Sequence, residues 1–118
     1  MSDVINVDEL KNNISSFAKE RDWEQFHTPK NLACALSVEA SELLEIFQWM
    51  SESEQKNISS EKKEAIAEEL SDILTYAVRL AGVMNINLSS SIEKKIKKNA
   101  KKYPAELVRG SSKKYDEY

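Results

Sequence analysis

The sequence has 118 residues, of which 41% are hydrophobic and 31% are charged, and it contains only two glycines and two prolines. This length and composition predict one mostly helical domain over residues 1–118, with a polar tail from about residue 105. The single cysteine, Cys34, excludes an internal disulfide and a zinc site built on a cysteine cluster, and its apolar neighbours predict a small core residue. No secretory signal or membrane-spanning window is evident, so we expect a cytoplasmic protein without a membrane partner.

Charge is distributed unevenly along the chain. Residues 1–92 carry 16 acids and 8 bases, whereas residues 93–114 carry 9 bases and 2 acids, and the whole chain has a net charge of −3. A basic segment after an acidic body is typical of a protein with a phosphate-bearing partner, although such a segment can equally be a solvated helix face. The acidic total argues against nucleic acid as that partner.

Apolar residues recur at helical spacing in four segments, and the predicted helices cover residues 7–21, 29–50, 61–84 and 88–102. Thr28 and Pro29 form a helix start, in which a capping residue precedes a proline at the first helical position. Residues 51–60 are polar and predict a loop, and Pro104 ends the last helix. The sequence therefore predicts an all-α, four-helix protein. A four-helix chain of this length covers its apolar surface poorly, so helices are expected to pack between subunits.

Two pairs of acids lie inside the second and third predicted helices. Glu39 and Glu42 form one pair and Glu69 and Asp72 the other, and residues three apart lie on the same side of a helix. Glu39 occupies a slot in an apolar stripe, where an acid is costly unless a proton or a cation compensates it. Oxygen-only ligands favour Mg²⁺ or Mn²⁺. The alternative is that all four are surface acids at the edge of a stripe.

Two aromatic residues and the only histidine lie in the first connection, and a second tryptophan closes the second predicted helix. Large aromatic side chains are normally part of the core. Trp23, Phe26 and Trp49, however, lie at the ends of elements, where flat rings can stack on a nucleobase. His27 is either a surface residue or a hydrogen-bond donor to the edge of a base.

Lysines crowd the last predicted helix. Most of them are expected to be solvated, because one helix cannot direct all of them to one side. Lys95, Asn99 and Lys102 are spaced i, i+4 and i+7 and therefore share a face. This face is the candidate for contacts with a triphosphate.

These segments resemble the MazG-like all-α nucleoside triphosphate pyrophosphohydrolases, and within that family the dCTP pyrophosphatase group. The resemblance covers roughly residues 15–115 and rests on RDWEQFH at 21–27 with Pro29, Asn31 and Leu32, on ExxE at 39–42, FQW at 47–49, ELSD at 69–72 with Tyr76, and KYP at 102–104. It implies a MazG-like four-helix bundle assembled as a tetramer, a dimer of dimers. It also implies Mg²⁺-dependent hydrolysis of nucleoside triphosphates, dCTP or related dNTPs among them, to the monophosphate and pyrophosphate, in sanitation of the nucleotide pool.

The resemblance also assigns roles to individual positions. The metal ligands and catalytic acids would be Glu39, Glu42, Glu69 and Asp72. The nucleoside would be held by Trp23, Glu24, Gln25, Phe26, His27, Trp49 and Tyr76. Independently of the resemblance, we expect Tyr103 to contact substrate together with the basic face of Lys95, Asn99 and Lys102. In some relatives a polar residue of the first helix reaches the base, and this chain has Ile14 at the corresponding position.

Two other classes of function compete with this interpretation. A helical nucleic-acid-binding module would use the lysine-rich last helix and would bind in a salt-dependent manner without a divalent ion. A non-catalytic assembly protein would use its acids only to bridge subunits. If the protein hydrolyses a triphosphate and EDTA abolishes this activity, it is an enzyme and neither of these two alternatives.

Overall fold

The computed structural model describes residues 3–112, and within that range every regular element is helical. The α-helices are α1 (Val7–Glu20), α2 (Pro29–Phe47), α3 (Glu52–Lys56), α4 (Ser60–Val83), α5 (Leu88–Lys102) and α6 (Ala105–Val108), and a 3₁₀ turn covers Glu24–Phe26. The prediction of an all-α protein is thus confirmed for the described residues. Among the helices of that range, none is long and apolar enough to cross a membrane.

The four long helices begin where the sequence predicts, because each is preceded by a residue that caps it. The side-chain oxygen of each cap accepts a hydrogen bond from the backbone N–H three residues on, and the caps are Asn6, Thr28, Ser59 and Asn87. Such a bond satisfies one of the backbone donors that the first helical turn leaves without a partner. Pro29 follows its cap at the first helical position, as predicted.

Two short helices were not predicted. Helix α2 ends at Phe47 rather than at residue 50, and α3 lies inside the predicted polar loop. Ser51 starts α3 because its hydroxyl accepts a hydrogen bond from the Glu54 backbone N–H at 3.1 Å and lies 3.4 Å from the Glu54 carboxylate. Helix α6 lies inside the predicted polar tail; residues 113–118 of that tail are outside the described range.

The described chain divides into two compact units, of which the first runs to Ile86. In this unit α1 and α2 both pack against α4. Its fully buried apolar side chains among the described residues are Ala18, Leu32, Val78 and Ala81. This is a small core, since many large apolar side chains of the same unit stay exposed. The expectation that Cys34 fills the core is wrong, because this side chain lies on an exposed face of α2.

The second unit begins at Asn87 and contains α5 and α6. Lys95, Asn99 and Lys102 do share a face of α5, since the helix is continuous from Leu88 to Lys102. The backbone N–H of Tyr103 donates to the carbonyl of Asn99 at 2.9 Å, which closes the last turn. The expectation of a single domain over 1–118 stays a prediction.

Candidate functional site

The acids of α2 and α4 converge where these two helices pack together. One carboxylate oxygen from each of Glu39, Glu69 and Asp72 lies within 4.8 Å of the others. Glu39 and Glu69 are half-buried, and Asp72 is exposed. The spacing of three residues puts Glu69 and Asp72 on one side of α4, and the packing of α2 on α4 supplies Glu39 from the opposite side.

Two oxygens of this cluster have no partner. Oε2 of Glu39 and Oε2 of Glu69 are both shielded from solvent, and neither accepts a hydrogen bond from any described residue. A buried acceptor without a donor costs free energy, and more so when it is charged. A bound cation, or a proton, would remove this cost.

The neighbouring acids raise the pKa of Glu39 from its ordinary value of 4.5 to about 7. The main cause is that protonated Glu39 can hydrogen-bond with the Glu69 carboxyl group, and the second is burial of Glu39 itself. Glu42 adds a hydrogen bond and a like charge, and Asp72 adds a like charge. Glu42 is therefore close enough to act on the cluster, although it is outside the three acids that meet within 4.8 Å.

A cavity of about 440 Å³ extends from this cluster. It lies within the first unit, and its walls come from α1, the connection after it, α2 and α4. The lining residues are Asn13, Ile14, Phe17, Trp23, His27, Glu39, Asp72, Thr75, Tyr76 and Arg79.

Aromatic rings form one wall of the cavity. Phe17 and Trp23 meet edge to face, with ring centroids 5.7 Å apart and an interplanar angle of 68°. The guanidinium carbon of Arg21 lies 3.6 Å from the centroid of the Phe17 ring. Asp22 has a left-handed backbone with φ +54°, and the next residue, Trp23, donates its N–H to the carbonyl of Ala18 at 2.9 Å. This tight turn folds the tryptophan back over the end of α1.

His27 and Arg79 contact each other at the cavity wall. Arg79 Nε donates a hydrogen bond to His27 Nδ1 at 3.1 Å in a partly buried setting. Since an arginine can only donate, His27 Nδ1 must be the acceptor, which assigns the proton of the neutral ring to Nε2. Burial lowers the pKa of His27, and the positive charge of Arg79 lowers it further. His27 is therefore a neutral ring whose Nε2–H is a donor.

One face of α4 links the acids to this pair. Asp72, Thr75, Tyr76 and Arg79 are spaced i, i+3, i+4 and i+7 and all line the cavity. Seven residues of α-helix rise roughly 10 Å, so Asp72 and Arg79 mark opposite ends of the same face.

The sequence profile of the MazG-like family matches residues 34–118. The chain belongs to the MazG-like family. It is 42% identical to dCTP pyrophosphatase 1 of Homo sapiens over 113 residues, which are 94% of this chain and 66% of the human protein. It is 43% identical to dCTP pyrophosphatase 1 of Rattus norvegicus over 92% of this chain and 65% of the rat protein. The chain thus spans about 65% of the length of these curated relatives.

A solved structure gives the same fold. The crystal structure of a pyrophosphatase from Archaeoglobus fulgidus superposes with a TM-score of 0.78 at 38% sequence identity, and the match covers 88% of this chain and 97% of that one. The resemblance inferred from the sequence motifs is thus confirmed. This MazG-like protein and the Archaeoglobus fulgidus pyrophosphatase share one fold over most of their lengths.

The structure brings together part of the site predicted for this MazG-like protein. Three of the four acids converge and the fourth is near, and Trp23, His27 and Tyr76 line the same cavity. Ile14 also lines it, at the position expected from the first helix.

Other residues predicted to bind substrate lie outside this cavity in the described part of the chain, namely Glu24, Gln25, Phe26 and Trp49. The Gln25 amide donates instead to the carbonyl and the carboxylate of Asp22, at 3.0 and 3.2 Å. Trp49 is 85% exposed just after the end of α2. Their roles stay predictions, as do those of the four residues of the second unit, Lys95, Asn99, Lys102 and Tyr103.

Four lining residues were missed as site residues. From the sequence, no site role is predicted for Asn13, Phe17, Thr75 or Arg79, and all four line the cavity. A signal for Thr75 and Arg79 does exist, because they continue the helical face of Asp72 and Tyr76. Asn13 and Phe17 line the cavity because of the way α1 packs on α4, and the spacing of apolar residues in the sequence does not specify this packing.

Proposed function

We propose that this protein is a Mg²⁺-dependent nucleoside triphosphate pyrophosphohydrolase, with dCTP or related dNTPs as substrates and the monophosphate and pyrophosphate as products. The observation that carries the proposal is the acidic cluster with two shielded, unpartnered oxygens at one end of a cavity with an aromatic wall. The relatives that are named pyrophosphatases support the same reaction class. Sanitation of the nucleotide pool is the role that this activity would serve.

The cluster fits a hard divalent cation. Its donors are carboxylate oxygens alone, the preference of Mg²⁺ and Mn²⁺, and Oε2 of Glu39 and of Glu69 lack any other partner. Glu39, Glu69 and Asp72 would hold the ion, with Glu42 beside them. When bound, Mg²⁺ neutralises charge on the phosphate oxygens and aligns the polyphosphate for attack at phosphorus.

The remaining cavity residues would position the nucleoside. The ring of Trp23 is part of the cavity wall and 44% exposed, so a flat base can stack on it. Tyr76 lies on the α4 face between the acids and Arg79. The roughly 10 Å along this face is a distance that a sugar and a nucleobase can span. The triphosphate would therefore lie at the acidic end and the base at the end near His27.

Hydrolysis also needs a group that accepts a proton from the attacking water. We assign this role to a carboxylate oxygen of Glu42, since Glu42 is exposed and stands beside, rather than within, the group of three converging acids. Attack at the α-phosphorus would release pyrophosphate from the far side of the substrate. The basic face of α5 and Tyr103 are proposed to contact the triphosphate.

We further propose that the protein acts as a homotetramer, a dimer of dimers. Support comes from the large apolar side chains that the first unit leaves exposed on α2 and α4, namely Val38, Leu44, Leu70 and Leu74. Burial of such side chains between copies of the chain is favourable. Light scattering after size exclusion should give four times the mass of the chain, and a monomeric mass would contradict this assembly.

The decisive experiment is incubation of the protein with each common NTP and dNTP in the presence of Mg²⁺, followed by ³¹P NMR and chromatography. We expect the nucleoside monophosphate and pyrophosphate in equal amounts, and no reaction in EDTA. Orthophosphate as the only released product would contradict attack at the α-phosphorus. Salt-dependent binding of DNA or RNA without a divalent ion, together with no hydrolysis, would favour the nucleic-acid-binding alternative.

A further inference from the structure

At the end of the cavity opposite the acids, Arg79 has donors that no described residue uses. Its only hydrogen bond within residues 3–112 runs from Nε to His27 Nδ1, at 3.1 Å. Within the same range, no carboxylate oxygen lies within 4.0 Å of its guanidinium nitrogens. Arg79 is nevertheless half-buried and lines the cavity.

A half-buried guanidinium group has less contact with water than an exposed one, so its remaining N–H donors favour an acceptor placed beside them. A ligand with an acceptor oxygen in the cavity would supply that acceptor. The guanidinium group is planar and presents its donors in a fixed fork, which suits recognition of an acceptor at the edge of a flat ring.

The contact with His27 adds a second donor beside the first. Because Nδ1 accepts from Arg79, the neutral imidazole carries its proton on Nε2. Both groups therefore offer hydrogen-bond donors only. Asn13 and Thr75 also line the cavity, but an amide and a hydroxyl group can each donate or accept and do not by themselves select a base.

We propose that Arg79, together with the His27 ring that it orients, determines base specificity by donating to a carbonyl oxygen of the nucleobase. This inference rests on the proposed function and narrows its substrate class. Cytosine, uracil, thymine and guanine present a carbonyl oxygen, whereas adenine has none. The pair should favour triphosphates of these four bases over adenine triphosphates.

The test compares Arg79→Met, which keeps an unbranched chain but has no donor, with Arg79→Lys and with the wild-type protein. The control is Lys30→Met, which removes one positive charge from an exposed position of the same unit that does not line the cavity. We expect Arg79→Met to lower kcat/KM for dCTP and dTTP roughly tenfold or more, the value of a charge-assisted hydrogen bond. The constants for dATP should change little, and Arg79→Lys should recover part of the loss.

The loss should appear as a rise in KM with little change in kcat, because a contact with the base is the same in the ground state and the transition state. Two further measurements exclude a merely structural effect. The affinity for Mn²⁺ alone should be unchanged in Arg79→Met. The ¹⁵N spectrum of His27, the only histidine in the sequence, should show a protonated Nε2 in the wild type and a mixture of tautomers in the variant.

The outcomes separate this inference from the proposed function. If Arg79→Met lowers the rate of hydrolysis equally for all bases, or does not lower it at all, the inference about base specificity is overturned. The proposed hydrolase function would still stand. If the wild type hydrolyses no triphosphate, the proposed function fails, and equilibrium binding of dCMP and dAMP decides the inference. Tighter binding of dCMP that Arg79→Met abolishes would still support it, and equal or absent binding would overturn it.

Discussion

Glu39 on α2 and Glu69 on α4 bring their carboxyl groups together, and each keeps one oxygen shielded from solvent without a hydrogen-bond donor. A hydrogen bond with the Glu69 carboxyl group and burial of Glu39 both favour the protonated form, and the pKa of Glu39 therefore rises to about 7. A side chain chosen only for folding would not be acidic here. Shielded carboxylate oxygens without a donor destabilise the folded state, and such local costs are expected at a site that binds a ligand.

Glu39→Gln should leave the fold intact and reduce turnover roughly a hundredfold or more, since the amide keeps the size of the side chain but removes its charge. The affinity for Mn²⁺ should fall in parallel. Steady-state kinetics with dCTP and calorimetric titration with Mn²⁺ measure the two effects.

Glu45→Gln is the matched control for this variant. Glu45 lies on the same helix, is exposed and is not part of the cluster. Its replacement should change neither turnover nor Mn²⁺ affinity. A Glu39→Gln protein with the wild-type rate in Mg²⁺ would show that Glu39 has been assigned wrongly.

The metal-free protein should lose stability as the pH rises through about 7. The pKa of Glu39 in the folded state lies above its ordinary value of 4.5, so the stability contributed by this group is fully present below about pH 4.5. It is lost as the pH rises through about 7, when the proton leaves. Thermal melts in EDTA between pH 5 and 8.5 should show this decline, and Glu39→Gln should flatten it.

Uptake of Mn²⁺ should depend on the same proton. The metal and the proton compete for the Glu39 carboxylate. The affinity for Mn²⁺ should therefore rise by up to tenfold per pH unit below about pH 7 and become constant above that pH. Titrations in buffers of different ionisation enthalpy would count the released protons. An affinity that does not change between pH 5.5 and 8 would contradict the coupling of this carboxyl group to the metal.

Trp23→Ala should raise KM for the triphosphate by roughly 10- to 100-fold, the usual effect of removing one aromatic ring from a base. Trp23→Phe should keep most of the affinity, because a flat ring remains. Turnover at saturating substrate should change less than KM in both variants. An unchanged KM for Trp23→Ala would remove the stacking role from this residue.

Leu32→Ala should destabilise the protein by about 2–5 kcal/mol, the range for cavities left by a buried leucine. Leu32 is only 1% exposed where α2 begins. Leu32→Met conserves volume and should cost less than about 1.5 kcal/mol. Urea denaturation at a fixed protein concentration provides both values.

Much of the fold could be predicted from the sequence because each long helix has two independent signals, the helical spacing of its apolar residues and the residue that caps its start. Residues Thr28 and Pro29 locate the start of α2 without reference to anything distant. Helix α3 was missed although Ser51 and Glu54 form a capping pair, since its five residues are too few for periodicity to register. The exposure of Cys34 depends on which side of α2 meets α4.

The acidic half of the site could be predicted because Glu39 interrupts an apolar stripe, which is visible in one helix alone. The opposite half could not, because its key contact joins His27 in a connection to Arg79, 52 residues later. Arginine near the end of a helix is common on surfaces, and only the packing of the first unit shows that this one faces a cavity. Contacts between distant residues require the fold itself.

The two tryptophans of the chain occupy contrasting surroundings, Trp23 against Phe17 in the cavity wall and Trp49 almost wholly in solvent. Their emission spectra should therefore differ, with the exposed indole at longer wavelength. A Trp49→Phe protein would leave Trp23 as the single tryptophan of the chain, at the edge of the cavity. Quenching of its emission by a stacked base would give a label-free assay of occupancy, and one that works without turnover.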